Sequence, residues 1–342
     1  MKRASLVEFG SLVIEEVDTP MPGPGQVRVA VNVCGICGTD IHAFQGLHPF
    51  ISAPVVPGHE FSGVIDAIGP AVDGLSVGQK VTVEPSLVCG ECEPCRTGRY
   101  NICDNLRVLG CQAPGAMAEM ITVPAEKIVT LREDMSHEQG ALIEPTAVAV
   151  HALRRADLGR VERMLVLGSG PIGLQSVQVG RAWGIPIIVA TDIVDEKLAK
   201  ASELGATHIV NVSQVTLADF FVEEYGKPNP MDLALECVGT EATLLQSIES
   251  VKKGGQIVVV GVPSADPRIR LSWLQDRELE LLGALMYTRS DFEGARDLIA
   301  AGKVETEPLI TARYPLERVS DAINELLRDP ENNIKTLITI RA

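Results

Sequence analysis

Met164-Leu165-Val166-Leu167-Gly168-Ser169-Gly170-Pro171-Ile172-Gly173 is the stretch that decides the fold. The apolar run reads as a strand, and a helix opens near Pro171. Gly168 permits the tight turn between them. Gly170 lets the backbone approach a pyrophosphate, and Gly173 lets helix and strand pack closely. Pro171 suits a first helical turn, where its missing N–H has no partner to lose. Phosphates placed there meet free N–H groups and the positive end of the helix dipole. The next strand, Ile187–Thr191, ends at Asp192, 19 residues after Gly173. A carboxylate at that point accepts hydrogen bonds from ribose hydroxyls and repels a 2′-phosphate, so NAD is expected over NADP. Lys197 is placed to reach the same ribose, and a solvated helix lysine is an equal reading of it. A glycine-rich turn that binds nothing is the competing reading of the motif. The complete βαβ unit weighs against it.

Working outward, further strands are expected at His208–Val210, Leu233–Glu236, Gln256–Val260 and Leu279–Ala284. Helical stretches such as Gly173–Trp183 and Asp195–Leu204 separate most of them. Six strands with crossovers predict an α/β fold, a Rossmann doubly wound parallel sheet. The first ~145 residues have another texture, rich in Gly, Pro and Val, as in a β-rich domain. Strands are expected there at Val27–Val33, Gly63–Ile68 and Lys80–Val83. The tail from Ser290 to Ala342 is mixed. Its closing strand, Thr336–Ile340, is placed to rejoin the first domain. A length of 342 residues fits two domains.

Composition removes several classes of function. Hydrophobic residues make up 46% of the chain, too many for a disordered protein. A net charge of -15 repels nucleic-acid backbones and anionic lipid, so no nucleic-acid or membrane partner is expected. The start, MKRASLVEFGSLVIEEV, has no long apolar core of a signal peptide, and no stretch approaches a membrane span. A soluble cytoplasmic protein is expected.

Eight cysteines in such a chain point to metal or catalysis before disulfides. Cys89, Cys92, Cys95 and Cys103 follow the pattern C-x2-C-x2-C-x7-C. Four thiolates close a tetrahedral zinc shell with no open position, so this is a structural site. Arg96, Arg99 and Arg107 are placed to offset its excess negative charge. An iron–sulfur cluster is the competing chemistry. A second set is dispersed: Cys37, His59 and Glu144. One thiolate, one imidazole and one carboxylate suit a catalytic zinc with an open fourth position, although scattered Cys, His and Glu are usually ordinary core or surface residues. Cys34 reads as a small core residue, because a redox Cys34–Cys37 pair needs a thioredoxin-like setting. Cys111 and Cys237 read as plain core thiols.

Taken together, these segments resemble the zinc-containing medium-chain dehydrogenase/reductase family. The most specific pieces are CGICGTDIHAFQG at Cys34–Gly46, PGHEFSGVI at Pro57–Ile65, the four-cysteine lobe and GSGPIG. Ile143-Glu144-Pro145 is similar to the polyol and threonine dehydrogenase branch, in which glutamate stands where typical alcohol dehydrogenases use cysteine. The resemblance implies a catalytic zinc held by Cys37 and His59, with Glu60 and Glu144 as interchangeable or water-mediated ligands. It implies a GroES-like catalytic domain split between residues 1–145 and 284–342, with the Rossmann domain at 146–283. It also implies two zinc ions per subunit and a homodimer or homotetramer. The alcohol proton would leave through Thr39, then the ribose, to His42, or through a water held by Glu144. Read bottom-up, Thr39 is equally a helix-cap residue and His42 a structural histidine.

The expected reaction moves hydride between a secondary alcohol on a small polar substrate and NAD. A sugar alcohol or sugar acid leads. Met286 replaces an arginine found in many polyol dehydrogenases, which keeps the identity open, and L-threonine 3-dehydrogenase is the runner-up. Two further alternatives are a non-enzymatic dinucleotide-binding protein and a zinc-ribbon nucleic-acid module. Retention of Cys37, His59 and Glu144 weighs against the former, and the net charge and GSGPIG against the latter.

Overall fold

The computed structural model describes residues 1–263 and 266–341. Ala342, the last residue of the expected catalytic segment, lies outside them. The chain forms two compact units. One comprises Met1–Glu144, Thr288–Ala300 and Thr306–Ala342; the other comprises Pro145–Tyr287 and Ala301–Glu305.

The second unit is built on a six-stranded parallel sheet. Its order is His208–Asn211, Ile187–Asp192, Arg163–Leu167, Met231–Glu236, Val251–Val259, Glu280–Gly283. The order reverses beside Arg163–Leu167, which is where such sheets bind ligands. Met164, Leu165, Val166 and Leu167 are fully buried, as are Leu233, Ala234 and Leu235. Helices on both faces leave these strands no polar side, hence the unbroken apolar runs. Val251–Val259 starts five residues earlier than Gln256 because its register with Met231–Glu236 shifts, admitting the exposed Lys252-Lys253-Gly254. Residues 301–305 join this unit through Gln178. Its amide accepts from the Glu305 N–H at 2.7 Å and donates to the Glu305 carbonyl at 3.1 Å.

The first unit curls around a seven-stranded sheet. The order is Ile310–Pro315, Lys335–Thr339, Gln26–Gly35, Glu60–Ile68, Lys80–Val83, Ile128–Thr130, with Met120–Pro124 also paired to Gln26–Gly35. Val27, Val29 and Val31 alternate inward onto the core, while Arg28 reaches out to Asp66. Two register shifts between Gln26–Gly35 and Glu60–Ile68 bend the sheet, as bulges do. Beyond them the strand is buried on both faces, since the helix His137–Ala141 adds Ala141 and Leu142 against Val33 and Leu337.

The closing strand does rejoin this unit. Lys335–Thr339 lies antiparallel to Gln26–Gly35, pairing Leu337 with Gly35 and Thr339 with Val33. That register carries Lys335 to the end of the strand from which the CGICGTD segment departs. Among the described residues no helix is long and apolar enough to cross a membrane.

Candidate functional site

In the second unit the glycines of GSGPIG have separable roles. Gly168 has φ +89°, a left-handed turn that a side chain would strain. A Cβ on Gly173 would stand 1.8 Å from the Gly168 carbonyl oxygen, so turn and helix close only around a bare backbone. Around Gly170, by contrast, nothing lies within 4 Å of such an atom. The helix Pro171–Ala182 starts at Pro171 with Gly170 as its N-cap, leaving the first N–H groups free for an anion. Ile172 lies in its first turn.

Asp192 ends its strand with the carboxylate fixed in place. Oδ2 accepts from the Ser169 N–H at 2.8 Å, and Oδ1 from the N–H groups of Ile193 and Val194 at 2.8 and 3.1 Å. These bonds tie Asp192 to the glycine turn. Oδ1 already accepts two bonds, whereas Oδ2 accepts one and retains a lone pair for a ribose hydroxyl. Lys197 is half-buried in the first turns of the helix Asp195–Glu203.

In the first unit the four cysteines form a closed knot. Cys103 Sγ lies 3.5 Å from Cys89 Sγ and 3.8 Å from Cys92 Sγ, and Cys89 Sγ lies 4.0 Å from Cys95 Sγ. Tetrahedral zinc with thiolates at about 2.3 Å requires sulfurs about 3.8 Å apart. All four are free thiols. Backbone N–H groups of Glu91 and Cys92 bring the Cys89 thiol down to about 6, whereas burial and its thiol neighbours push Cys95 up to about 12. Four thiols this close cannot all ionise without a cation among them. Arg107 turns to the Gln112 carbonyl at 3.0 Å, and Arg96 and Arg99 are exposed.

The dispersed set converges in part. One donor atom from each of Cys37, His59 and Glu60 lies within 4.8 Å of the other two. Glu144, at the start of the helix Ile143–Arg154, is buried but outside that trio. Cys37 is the N-cap of the helix Gly38–Phe44, and His59-Glu60 lead into Glu60–Ile68. Asp40 clasps the two segments: Oδ2 accepts from the Cys37 N–H at 2.9 Å and Oδ1 from the Gly58 N–H at 3.2 Å. Thr39 and His42 stand one turn apart on the same short helix, half-buried and exposed respectively.

The electrostatics of this site favour a cation. His59 Nδ1 is buried with no hydrogen-bond partner. Burial alone would lower the His59 pKa, yet the Cys111 and Cys37 thiols and the Asp40 carboxylate hold it well above the ordinary value. A positive charge is wanted there, and a metal ion supplies one more strongly than a proton. Burial drives the Cys34 thiol far up. Soft sulfur beside imidazole and carboxylate is a zinc donor set. The residues present fit that ion, as the four-cysteine knot fits a second.

Three neighbours of the site escaped the sequence reading. Asp40 sits three residues into a capping-box pattern, a signal that local analysis can find. Cys111, read as plain core, is buried beside His59, whose charge acts against the upward pull of burial on its thiol. Lys335 is 275 residues from Glu60, yet donates to both its carboxylate oxygens at 2.7 Å.

Comparison with known proteins shows the family. Residues 23–133 match the alcohol dehydrogenase GroES-like domain, and residues 171–301 match the zinc-binding dehydrogenase domain. A sorbitol dehydrogenase of Bacillus subtilis (strain 168) is 31% identical over 343 residues, covering 99% of this chain and 97% of that protein. The structure of a short chain alcohol dehydrogenase (rspB) from E. coli CFT073, complexed with NADH, superposes with a TM-score of 0.94 at 32% identity, covering 99% of both chains. A zinc-binding dehydrogenase from Sinorhizobium meliloti 1021, bound to NADP, superposes with a TM-score of 0.92 at 31% identity, again covering 99% of both.

Proposed function

The chain belongs to the zinc-binding, GroES-like alcohol dehydrogenases, enzymes that act on CH–OH donors, and on that premise we propose that it oxidises a secondary alcohol of a sugar alcohol or sugar acid with NAD. The observation that carries the reading is the convergence of Cys37, His59 and Glu60 around an unpartnered buried imidazole nitrogen. A zinc ion held there would supply a Lewis acid for an alcohol oxygen, and a bound NAD would supply the hydride acceptor.

The chain's own residues do the rest. Cys37 and His59 hold the ion, with Glu60 or Glu144 completing its surroundings. Asp40 fixes the spacing of the two ligand segments through their backbone N–H groups. Thr39 would relay the hydroxyl proton through the nicotinamide ribose to His42, which is exposed, or a water held by Glu144 would take it. In the second unit the turn at Gly168, Gly170 and Gly173 and the N-terminus of Pro171–Ala182, with Ile172 beside it, take the pyrophosphate. Asp192 takes the ribose, with Lys197 alongside. With NADH in one similar structure and NADP in the other, Asp192 is the feature that favours NAD. Cys89, Cys92, Cys95 and Cys103 hold a structural zinc, giving two ions per subunit.

A homodimer or homotetramer is supported by the strand Glu280–Gly283, which among the described residues is an edge of its sheet and exposes Leu281, with Leu285 exposed just beyond it. A cytoplasmic setting is supported by eight cysteines that are all free. The net charge of -15 argues against a nucleic-acid partner.

The direct test is a panel of polyols, aldonates, butanediol and L-threonine, read by NADH absorbance. Turnover of polyols or aldonates is expected, lost in Cys37→Ala while NAD still binds. Turnover of L-threonine alone would transfer the assignment to the threonine dehydrogenases, and a Cys37→Ala enzyme with retained turnover would remove the catalytic role of Cys37.

A further inference from the structure

The four-cysteine knot is tied to the point where the chain returns to the first unit. That unit resumes at Thr288, and the helix Arg289–Ala300 begins one residue later. The Arg289 N–H donates to the Tyr100 hydroxyl, 189 residues earlier in the chain. Tyr100 opens a single turn of 3-10 helix, Tyr100–Ile102, capped by Cys103, whose N–H donates to the Tyr100 carbonyl at 3.0 Å. The residue that receives the returning chain is thereby built into the knot.

A buried carboxylate completes the anchor. Glu84 is 1% exposed and stands outside both groups of metal-ligating side chains. Its Oε2 lies 3.3 Å from Arg289 Nε and its Oε1 3.6 Å from Lys127 Nζ, while Oε1 also accepts from the Ser86 hydroxyl at 2.7 Å. A carboxylate so deeply buried is costly unless cations face it, and one of its two is the side chain of the returning residue itself. The Arg289 guanidinium donates further to the carbonyls of Ile128, at 3.0 Å, and Glu126. Lys127 Nζ stands 5.2 Å from the centre of the Tyr100 ring. Burial, and then the Glu84 charge, push the Tyr100 pKa up, so the hydroxyl stays protonated. Just ahead of the return, Met286 has φ +49°, a left-handed conformation that strains a residue bearing a side chain and persists only where the surrounding structure holds it.

We propose that Tyr100 is a positioning residue that couples metal in the four-cysteine knot to the return of the chain at Arg289. Cysteines closed on an ion fix the segment between Cys95 and Cys103, that segment fixes Tyr100, and Tyr100 holds the Arg289 backbone. This rests on the reading of the knot as a zinc site. The knot then acts on the chain beyond its own lobe.

The test uses the full-length, zinc-loaded protein and hydrogen–deuterium exchange with fragmentation that resolves single amides. In Tyr100→Phe the Arg289 amide loses its acceptor and should exchange about 10-fold faster, with zinc content unchanged. The Thr288 amide, which donates to Asp291 Oδ2 at 2.9 Å, and the Phe292 amide, which donates to the Thr288 carbonyl at 3.0 Å, should keep their rates. Cys92→Ser, which opens the knot, should accelerate the same Arg289 amide, and adding Tyr100→Phe to it should accelerate that amide no further. Partial chelator stripping of the wild type supplies the same comparison where Cys92→Ser fails to fold. A tyrosine that merely filled space would speed Thr288, Arg289 and Phe292 together, and that pattern, or an Arg289 rate unchanged in Tyr100→Phe, would overturn the proposal. Elemental analysis separates the two levels. A wild type with no ion in the knot overturns the zinc reading, whereas a filled knot whose loss leaves the Arg289 amide unmoved overturns the coupling.

Discussion

Replacing Asp192 by alanine should reverse much of the cofactor preference. Two effects combine. Hydrogen bonds from ribose hydroxyls to an ionised carboxylate are worth about 1.5–3 kcal/mol. At about 1.4 kcal/mol per factor of ten, KM for NAD should rise roughly 10- to 100-fold. The same substitution removes a negative charge facing the position of a 2′-phosphate. After solvent screening that repulsion is about 1 kcal/mol, so KM for NADP should fall about 5-fold. The NAD/NADP ratio of kcat/KM should therefore shift by about 10². The carboxylate also accepts from the N–H groups of Ser169, Ile193 and Val194, so the turn itself loses three bonds. Asp192→Asn separates the contributions: it keeps the shape and one acceptor oxygen but removes the charge. Initial rates with each cofactor, at a fixed saturating alcohol, supply the measurement. A ratio within about 2-fold of wild type would refute the ribose role of Asp192.

Elemental analysis of the purified protein should give about two zinc ions per chain. Cys37→Ser should lose one with little change in melting temperature, and Cys92→Ser the other with a clear drop; a single ion in the wild type would strike out one of the two sites. The Arg313–Glu138 bond should give a pH-dependent stability. The Arg313 guanidinium, 2.7 and 2.9 Å from the two carboxylate oxygens, holds the Glu138 pKa below its ordinary value. A depressed folded pKa contributes stability that is present above the unfolded value of about 4.3 and lost as pH falls through the folded one. Arg313→Gln should thus cost about 0.5–1 kcal/mol at pH 7 by urea unfolding, and less at pH 3.5. An equal difference at both pH values would contradict this.

The nucleotide-binding unit was the more legible part of the sequence. Strands such as Arg163–Leu167 are buried on both faces and announce themselves as unbroken apolar runs. The glycines mark places where a Cβ would strike backbone, a local constraint that local sequence must satisfy. Val251–Val259 was harder, because Lys252-Lys253-Gly254-Gly255 looks like a turn while the structure runs the strand through it. The four cysteines were legible because their knot is local in the chain. The dispersed set was not: the family resemblance implies Cys37 and His59 but gives no means of ranking Glu60 against Glu144. The structure gathers Glu60 into the trio and leaves Glu144 outside it. Lys335 left no sequence signal, because a lone lysine near the end of a chain has no reason to be buried until a carboxylate 275 positions away is folded against it.

The antiparallel pairing of Lys335–Thr339 with Gln26–Gly35 has a consequence for biogenesis. A ribosome delivers Cys37 and His59 well before Lys335, whose ammonium holds both oxygens of their neighbour Glu60. The nucleotide-binding unit lies almost wholly upstream and can fold while synthesis continues. The metal lobe cannot reach its final electrostatic state until translation has passed residue 339. Until then a nascent chain presents Cys37, His59 and Glu60 without the ammonium that holds Glu60 in the folded lobe.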